Sequence, residues 1–144
     1  MADPHQPSWR FLWYITEAGA SEVFDYVEEL RDSDFTSYSF FLDNLHDPLL
    51  SDGPFALPKP YWEDIGDGFS EISWGRNRIY CCIEPPRRVF ALVAVEKRWQ
   101  AFASKRGKYV RLCEQRRADI RSGAYDEKKR NEAFHAHRAR RGKT

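Results

Sequence analysis

Basic residues stand at two points of a stretch that has the pattern of short β-strands. Arg76 and Arg78 flank the turn between two apolar runs, and Lys97 and Arg98 follow the end of a third run. Positive side chains can stabilise the phosphorane-like transition state that forms when an RNA 2′-hydroxyl attacks the neighbouring phosphate. We therefore take these four residues as candidate catalytic residues for an RNA cleavage that requires no metal.

The same chemistry needs groups that accept and donate protons. Glu71, Tyr80 and Glu96 are the candidates in this stretch, and Tyr80 joins the candidate catalytic residues. A tyrosine base near neutral pH needs a lowered pKa, which clustered positive charge could supply. No histidine, the easiest acid–base group, falls within the three apolar runs or the turns between them.

Each of these residues also has a purely structural interpretation. Charged side chains such as Arg76 and Arg78 are ordinary beside a hairpin turn, and Lys97 and Arg98 could be solvated residues at a strand end. Tyr80 could be a packed strand tyrosine, and the two glutamates could be ion-pair partners of nearby arginines. The sequence leaves both interpretations open.

Positive charge is concentrated at one end of the chain. Residues 1–96 contain seven Lys or Arg against seventeen Asp or Glu, whereas residues 97–144 contain sixteen against five. An acidic body with a basic end suggests a polyanionic partner for the basic part. The alternative is that the two halves neutralise each other in the folded protein.

The basic end could bind RNA phosphates without regard to sequence, as ribosomal RNA would require. An aromatic side chain beside it could stack on an unpaired base, although Trp99 and Phe102 could instead close the core. The residues predicted to contact RNA are Trp99, Lys105, Arg106, Lys108 and Arg111, with Arg116, Arg117 and Arg121 further along the chain.

Cys81, Cys82 and Cys113 are odd in number, and their spacing fits no metal site. We expect free thiols in a reducing cytoplasm. His135 and His137 are two positions apart and do not share a helix face, so we expect no metal and no cofactor. No apolar run approaches the length of a membrane span, and the first residues lack the pattern of a signal peptide.

The surrounding pattern predicts a single α+β domain over residues 9–122, after a loose leader at 1–8 and before a basic helix or tail at 123–144. An aromatic strand at 9–16 precedes two amphipathic helices, which form an N-terminal helical hairpin. Ser21 caps the first helix, and Phe35, Tyr38, Leu42 and Leu45 form a core stripe on the second. Residues 46–60 are predicted to be a loop.

The three apolar runs, at 69–74, 79–83 and 89–95, predict an antiparallel meander whose third strand is central and buried on both faces. A helix is predicted from Tyr109 to about Ser122, with Gly107 as a breaker before it and Gly123 as its stop. The predicted fold is thus a small antiparallel-rich sheet with the helical hairpin on one face and a C-terminal helix.

Several phrases of this sequence occur in a specific order between residues 9 and 117. After the aromatic first strand come Glu17, Ala18 and Gly19, then the helical hairpin, residues 64–72 (DIGDGFSEI), residues 75–80 and residues 95–98. In these features the chain resembles the RelE/HigB family of bacterial toxins, and most closely its phage-derived HigB-like branch. The resemblance implies a RelE-like fold and a ribosome-associated ribonuclease that cuts messenger RNA and is silenced by an antitoxin.

The chain departs from the family pattern at three positions. Ser73 and Cys81 stand where family members commonly have arginine, and Val93 stands where many have histidine. The basic pair Lys97 and Arg98 is retained. Two hypotheses follow. One is a metal-independent, ribosome-dependent endoribonuclease toxin with a helix-turn-helix antitoxin. The other is a catalytically inactive RelE-like module that binds nucleic acid or protein.

Overall fold

The computed structural model describes residues 8–97 and 99–141, and the side chains within 8–97 and 107–141. Its centre is a mixed sheet of five strands with helices on both faces, so the predicted α+β class is confirmed. The sheet order is β1-β5-β4-β3-β2, with β1 parallel to β5 and every other pair antiparallel. The strands are β1 (Arg10–Trp13), β2 (Trp62–Gly66), β3 (Phe69–Trp74), β4 (Asn77–Glu84) and β5 (Arg88–Glu96).

The predicted meander corresponds to β3, β4 and β5. β5 lies between β1 and β4 and is buried on both faces, as the continuous apolar run predicts: Val89 and Ala91 face one core, and Phe90 and Leu92 face the other. The sequence did not reveal β2, because its exposed Glu63 and Asp64 interrupt any apolar run.

A β-bulge in β5 sets which side chains share a face. Tyr80 pairs with Val93 and Cys81 with Ala91, so Leu92 is the extra residue. Leu92 and Val93 consequently both lie in the core on one face of the sheet, although they are adjacent. The bulged carbonyl of Leu92 accepts a hydrogen bond from the Arg116 guanidinium. The bulge therefore couples the sheet to the helix that carries Arg116.

One face of the sheet is covered by helices that follow β1, and they form several short segments, so the predicted arrangement of an N-terminal helical hairpin is not matched. These are α1 (Glu22–Ser33), α2 (Phe35–Phe40), a π-helical segment (Phe41–His46) and α3 (Asp47–Asp52). The Ser21 hydroxyl accepts a hydrogen bond from the Phe24 N–H (3.3 Å), which confirms the predicted cap. The prediction of a loop at 46–60 was wrong for the residues that form α3 and a short 3-10 helix (Pro54–Ala56). Pro48 lies in the first turn of α3, where a missing N–H costs little.

The predicted core stripe is confirmed at Leu45, which is fully buried. Phe35 is 64% exposed, so its assignment to the core was wrong, and Tyr38 and Leu42 are only partly buried. Phe41 and Leu49, which the predicted stripe does not include, are also buried. A π-turn inserts one residue and so shifts the side chains that follow it by one position.

The opposite face carries α4 (Trp99–Arg121), and α5 (Glu127–Arg141) packs beside it. The prediction that Gly107 breaks the chain before a helix at Tyr109 was wrong, because α4 runs through both. A single exposed glycine costs a helix only about 1 kcal/mol. Gly123 follows the end of α4 with φ +83°, as a helix stop requires. The leader at residues 1–7 lies outside the described residues.

Two hydrophobic cores lie on the two faces of the sheet. The core under α1–α3 includes Phe41, Leu45 and Ile79, whereas the core under α4 includes Tyr80 and Phe90. The three cysteines are free and buried, as predicted, and burial raises the pKa of Cys82 and Cys113 to about 12. Among the described residues, no helix combines the length and apolarity that a membrane crossing needs.

Candidate functional site

Three of the candidate catalytic residues, Arg76, Arg78 and Lys97, lie at one end of the sheet. The β3–β4 turn carries Arg76, and the backbone N–H of Lys97 donates to the Arg76 carbonyl oxygen (2.6 Å). The strand register pairs Asn77 with Glu96 and Arg78 with Val95. We call this region, formed by Glu71, Ser73, Arg76, Arg78, Glu96 and Lys97, the turn end of the sheet.

Helix α1 holds the turn end in place through a buried contact. The Tyr26 hydroxyl donates to Asn77 Oδ1 (2.7 Å), and Asn77 is only 5% exposed. Burial, followed by the negative charge of nearby Glu96, raises the pKa of Tyr26 to about 12. Tyr26 therefore stays neutral and keeps donating its proton, so the turn keeps one orientation.

Arg78 is engaged by the protein itself. Its Nη1 donates to the carbonyl oxygens of Gly75 and Asn77 (both 2.8 Å), which closes the turn. Its Nε lies 3.6 Å from Glu71 Oε1, and both side chains are 15% exposed. The Ser73 hydroxyl donates to the same carboxylate oxygen (2.9 Å). Glu71 is thus an ion-pair partner, and Arg78 orders the turn.

Tyr80 lies in the core under α4 and is 1% exposed. Its ring packs against that of Tyr109, with centroids 6.3 Å apart. This position agrees with a packed strand tyrosine and leaves the ring out of reach of a ligand on the surface. Cys81 faces the opposite core, and Val93 lies beside Tyr80 in the strand register. The three positions where the family pattern fails therefore include two that are buried in the sheet.

Arg76 and Lys97 are the described candidate catalytic residues that can offer charge to a ligand. Arg76 is exposed and Lys97 is half-buried. Arg98 lies outside the described residues. The described histidines, His46, His135 and His137, belong to other parts of the fold. Within the part of the chain that the structure describes, no three His, Cys, Asp or Glu side chains group as metal ligands would.

The predicted RNA-binding residues follow the turn end along α4. Lys108 and Arg111 are exposed on this helix, where phosphates could reach them. Trp99, Lys105 and Arg106 are part of α4, and their side chains lie outside the described ones. Basic residues thus continue along α4 for several helical turns beyond the turn end.

The arginines further along α4 bind the protein's own body. Arg116 is 8% exposed, donates to the Leu92 carbonyl, lies over the Tyr14 ring and pairs with Glu22 (3.3 Å). Arg117 lies 3.9 Å from the centroid of the Phe69 ring. Their interpretation as phosphate contacts was therefore wrong.

Sequence reasoning missed the polar cluster that holds α5 on the domain. Arg130 is 4% exposed; its Nη1 donates to the Ile15 carbonyl (2.8 Å) and lies 3.1 Å from Asp119 Oδ2. The Tyr14 hydroxyl donates to the same carboxylate oxygen (2.6 Å), and the Tyr125 hydroxyl accepts from the Ile15 N–H (3.2 Å). We call these residues (Tyr14, Ile15, Asp119, Tyr125 and Arg130) the α5 clamp.

The electrostatics of the clamp keep it in one protonation state. Burial, then the hydrogen bond to Asp119, raises the pKa of Tyr14 to about 12, and contact with Asp119 raises the pKa of Arg130 against the opposing effect of burial. At the far end of α5, Arg138 and Arg141 pair with Asp25 of α1 (3.7 and 3.1 Å). Much of the basic end is therefore neutralised internally, as the second interpretation of the charge distribution expected.

No protein-family model matches this sequence, and no curated protein matches it.

Proposed function

We propose that this protein is a RelE/HigB-like toxin: a cytoplasmic, metal-independent endoribonuclease that cleaves messenger RNA on the ribosome and is restrained by a helix-turn-helix antitoxin. The order of elements supports the RelE-like fold within this proposal. A strand, a helical segment, a run of antiparallel strands and a long helix follow one another in the order on which the resemblance rests.

The observation that carries the proposal is the meeting of Arg76 and Lys97. They belong to separate segments, the β3–β4 turn and the residue after β5, and a backbone hydrogen bond joins them. Two basic residues that are neighbours in this way can stabilise the extra negative charge of a pentacoordinate phosphate that binds between their side chains. Exposed Lys108 and Arg111 on α4 extend the positive surface along which an RNA strand could lie.

A proton acceptor for this chemistry is present at the same place. The Glu71 carboxylate is held by the Ser73 hydroxyl (2.9 Å) and lies near the Arg78 guanidinium (3.6 Å). A carboxylate that is oriented by such contacts can take the 2′-hydroxyl proton if the RNA backbone enters beside it. We assign Glu71 as the base that takes the 2′-hydroxyl proton, and Arg76 and Lys97 as the groups that stabilise charge; as the bond from phosphorus to the 5′-oxygen breaks, that oxygen takes a proton from water.

A second candidate is the catalytically inactive module that binds RNA through the same surface. Two observations favour it: Arg78 is bound to backbone carbonyls, and Tyr80 is buried. These positions leave the turn end with positive charge for binding, and they remove Tyr80 from the candidates for proton transfer. Both candidates predict RNA binding at the turn end and differ in whether cleavage follows.

Induced expression in bacteria separates the two. Wild type is compared with Arg76→Ala/Lys97→Ala, with growth and the 5′ ends of messenger RNA as readouts. A toxin arrests growth and creates new ends, and we expect the double substitution to lower the cleavage rate by about 100-fold or more, as loss of charge stabilisation does. Arg31→Ala/Lys59→Ala is the matched control, because it removes two exposed positive charges elsewhere.

Arrest that persists unchanged in the Arg76→Ala/Lys97→Ala protein would contradict the assigned site. The absence of arrest and of new ends, from a folded protein that still binds RNA, would select the inactive module. The in vitro counterpart, purified ribosomes with a defined message, distinguishes direct cleavage from an indirect effect on growth.

A further inference from the structure

The opposite end of the sheet carries a second concentration of positive charge. It is formed where the β4–β5 hairpin turns, beside the start of β1, the end of α4 and the start of α5. We call this region the hairpin end. Its basic residues are Arg10, Arg87, Arg88, Arg121 and Lys128, and its acidic residues are Glu84, Asp126 and Glu127, so basic residues are in excess by two.

Two carboxylates of the hairpin end each pair with an arginine that is more exposed than they are. Glu84 is 8% exposed and pairs with Arg121 (2.7 Å), which is 54% exposed. Glu127 is 27% exposed and pairs with Arg10 (2.9 Å), which is 56% exposed, and also with Arg88 (2.6 Å), which is 23% exposed. The guanidinium groups of Arg10 and Arg121 therefore lie nearer the solvent than the carboxylates that they contact. Because basic residues are in excess, the region as a whole is positive.

Arg87 adds positive charge at the tip of the hairpin. It is exposed and has φ +53°, in the left-handed region that residues other than glycine rarely adopt. Among the described residues, the Arg87 and Lys128 side chains form no ion pair. A strained position that presents a long cationic side chain at a turn tip indicates a use for that side chain.

We propose that the hairpin end is a second RNA-binding surface, which contacts phosphates and takes no part in cleavage. The inference rests on the proposed function for its choice of RNA as the polyanion. The nine residues of β5 separate the two ends of the sheet by about 26 Å at 3.3 Å per residue. At about 3.4 Å per nucleotide, a stacked strand of roughly eight nucleotides spans this distance. One RNA can therefore contact both ends.

The direct test is the salt dependence of binding to a fluorescently labelled single-stranded RNA of about 20 nucleotides, long enough to reach both ends. Arg87→Gly/Lys128→Ala removes two contacts, so the slope of log K against log salt should fall by about 1.4. At 0.1 M salt this corresponds to affinity weaker by about 25-fold. Arg31→Ala/Lys59→Ala removes the same charge from another face and should change the slope little.

The single variant Arg87→Gly separates structure from binding. Glycine accepts the left-handed conformation without strain, so the melting temperature should stay the same or rise while RNA affinity falls. Unchanged affinity in both hairpin-end variants would overturn the proposal. Equally strong binding to phosphatidylserine vesicles that depends on the same two residues would also overturn it, in favour of a membrane surface.

Failure of the proposed function is distinguishable from failure of this inference. If no variant or wild-type protein cleaves RNA, but the hairpin-end substitutions still reduce the salt slope, the second surface stands and the nuclease does not. If cleavage depends on Arg76 and Lys97 while the hairpin-end substitutions leave the slope unchanged, the reverse holds.

Discussion

The α5 clamp and the turn end use the same kinds of basic residue in opposite ways. In the clamp, Arg130 is 4% exposed and is held by a backbone carbonyl and a carboxylate. At the turn end, Arg76 is exposed beside the β3–β4 turn, and its backbone carbonyl accepts a hydrogen bond from the Lys97 N–H. The first arrangement fastens a helix to the domain. The second leaves a positive side chain available to a ligand.

The difference shows that a basic tract is a poor indicator of a polyanion partner unless the burial and partners of each residue are known. A buried guanidinium without its carboxylate is an uncompensated buried charge. Such a pair is therefore needed for stability and is not available to a ligand. An exposed pair contributes little to stability. The predictions below measure this difference, beginning with the largest effect.

Arg130→Ala should destabilise the protein by about 3–5 kcal/mol, because it removes the cation that pairs with Asp119 and leaves the Ile15 carbonyl without the guanidinium that donates to it. Urea unfolding measures the change in unfolding free energy. Lys129→Ala is the neighbouring control on the exposed side of α5 and should change it by less than about 0.5 kcal/mol. Equal effects of the two substitutions would mean that α5 is not clamped.

Gly19→Ala should destabilise by about 2–3 kcal/mol. Gly19 has φ +96°, and an added Cβ would collide with the carbonyl of Ala133 in α5. Gly107→Ala is the opposite case, since a Cβ there meets open space within α4 and should stabilise by about 0.5–1 kcal/mol. Urea unfolding of each variant beside wild type measures the two changes in unfolding free energy, which should have opposite signs. A Gly19→Ala protein as stable as wild type would show that α5 can move away without cost.

The clamp should also weaken at high pH. The pKa of Tyr14 is raised to about 12, above its ordinary value of 10.0, so the folded state binds the phenolic proton more tightly than the unfolded state. Its contribution is complete below pH 10 and is lost as pH rises from about 10 to 12. Unfolding free energy measured across this range should fall less steeply in Tyr14→Phe than in wild type. If unfolding free energy falls equally steeply with pH in the two proteins, the deprotonation of Tyr14 does not contribute to the pH dependence of stability.

Arg76→Ala/Lys97→Ala should have the smallest effect on stability, within about 0.5 kcal/mol, because it removes side chains and preserves the backbone hydrogen bond between the two residues. Urea unfolding of this variant, of Arg130→Ala and of wild type compares the losses of unfolding free energy. A loss above about 2 kcal/mol would show that the turn end is a structural cluster like the clamp.

The sequence predicted those strands and helix ends that are specified by residues within or next to the element itself. The apolar runs of β3, β4 and β5 and the cap at Ser21 all lie within a few residues of the elements they specify. The π-helical segment was invisible, because helical periodicity assumes a constant number of residues per turn. The predicted stripe therefore missed Phe41 at the start of this segment, which is fully buried.

The site was predictable only in part for a related reason. Arg76 and Lys97 follow from hairpin connectivity, which brings the β3–β4 turn to the end of β5. The clamp joins Ile15 to Arg130, which are 115 positions apart, and no nearby residue signals that contact. The hydrogen bonds that Arg78 donates to two carbonyl oxygens likewise depend on the geometry of the turn, which residue types alone do not specify.

The most direct test of the central claim compares two double substitutions that each remove two basic side chains. Arg76→Ala/Lys97→Ala alters the turn end, and Arg138→Ala/Arg141→Ala alters arginines that are paired with Asp25. The measurement is the salt slope of binding to the labelled RNA of about 20 nucleotides, where two lost contacts reduce the slope by about 1.4. The account predicts that reduction for the turn-end protein and a slope near wild type for the α5 protein. Equal slopes for the two variants, or a reduction confined to the α5 protein, would contradict it.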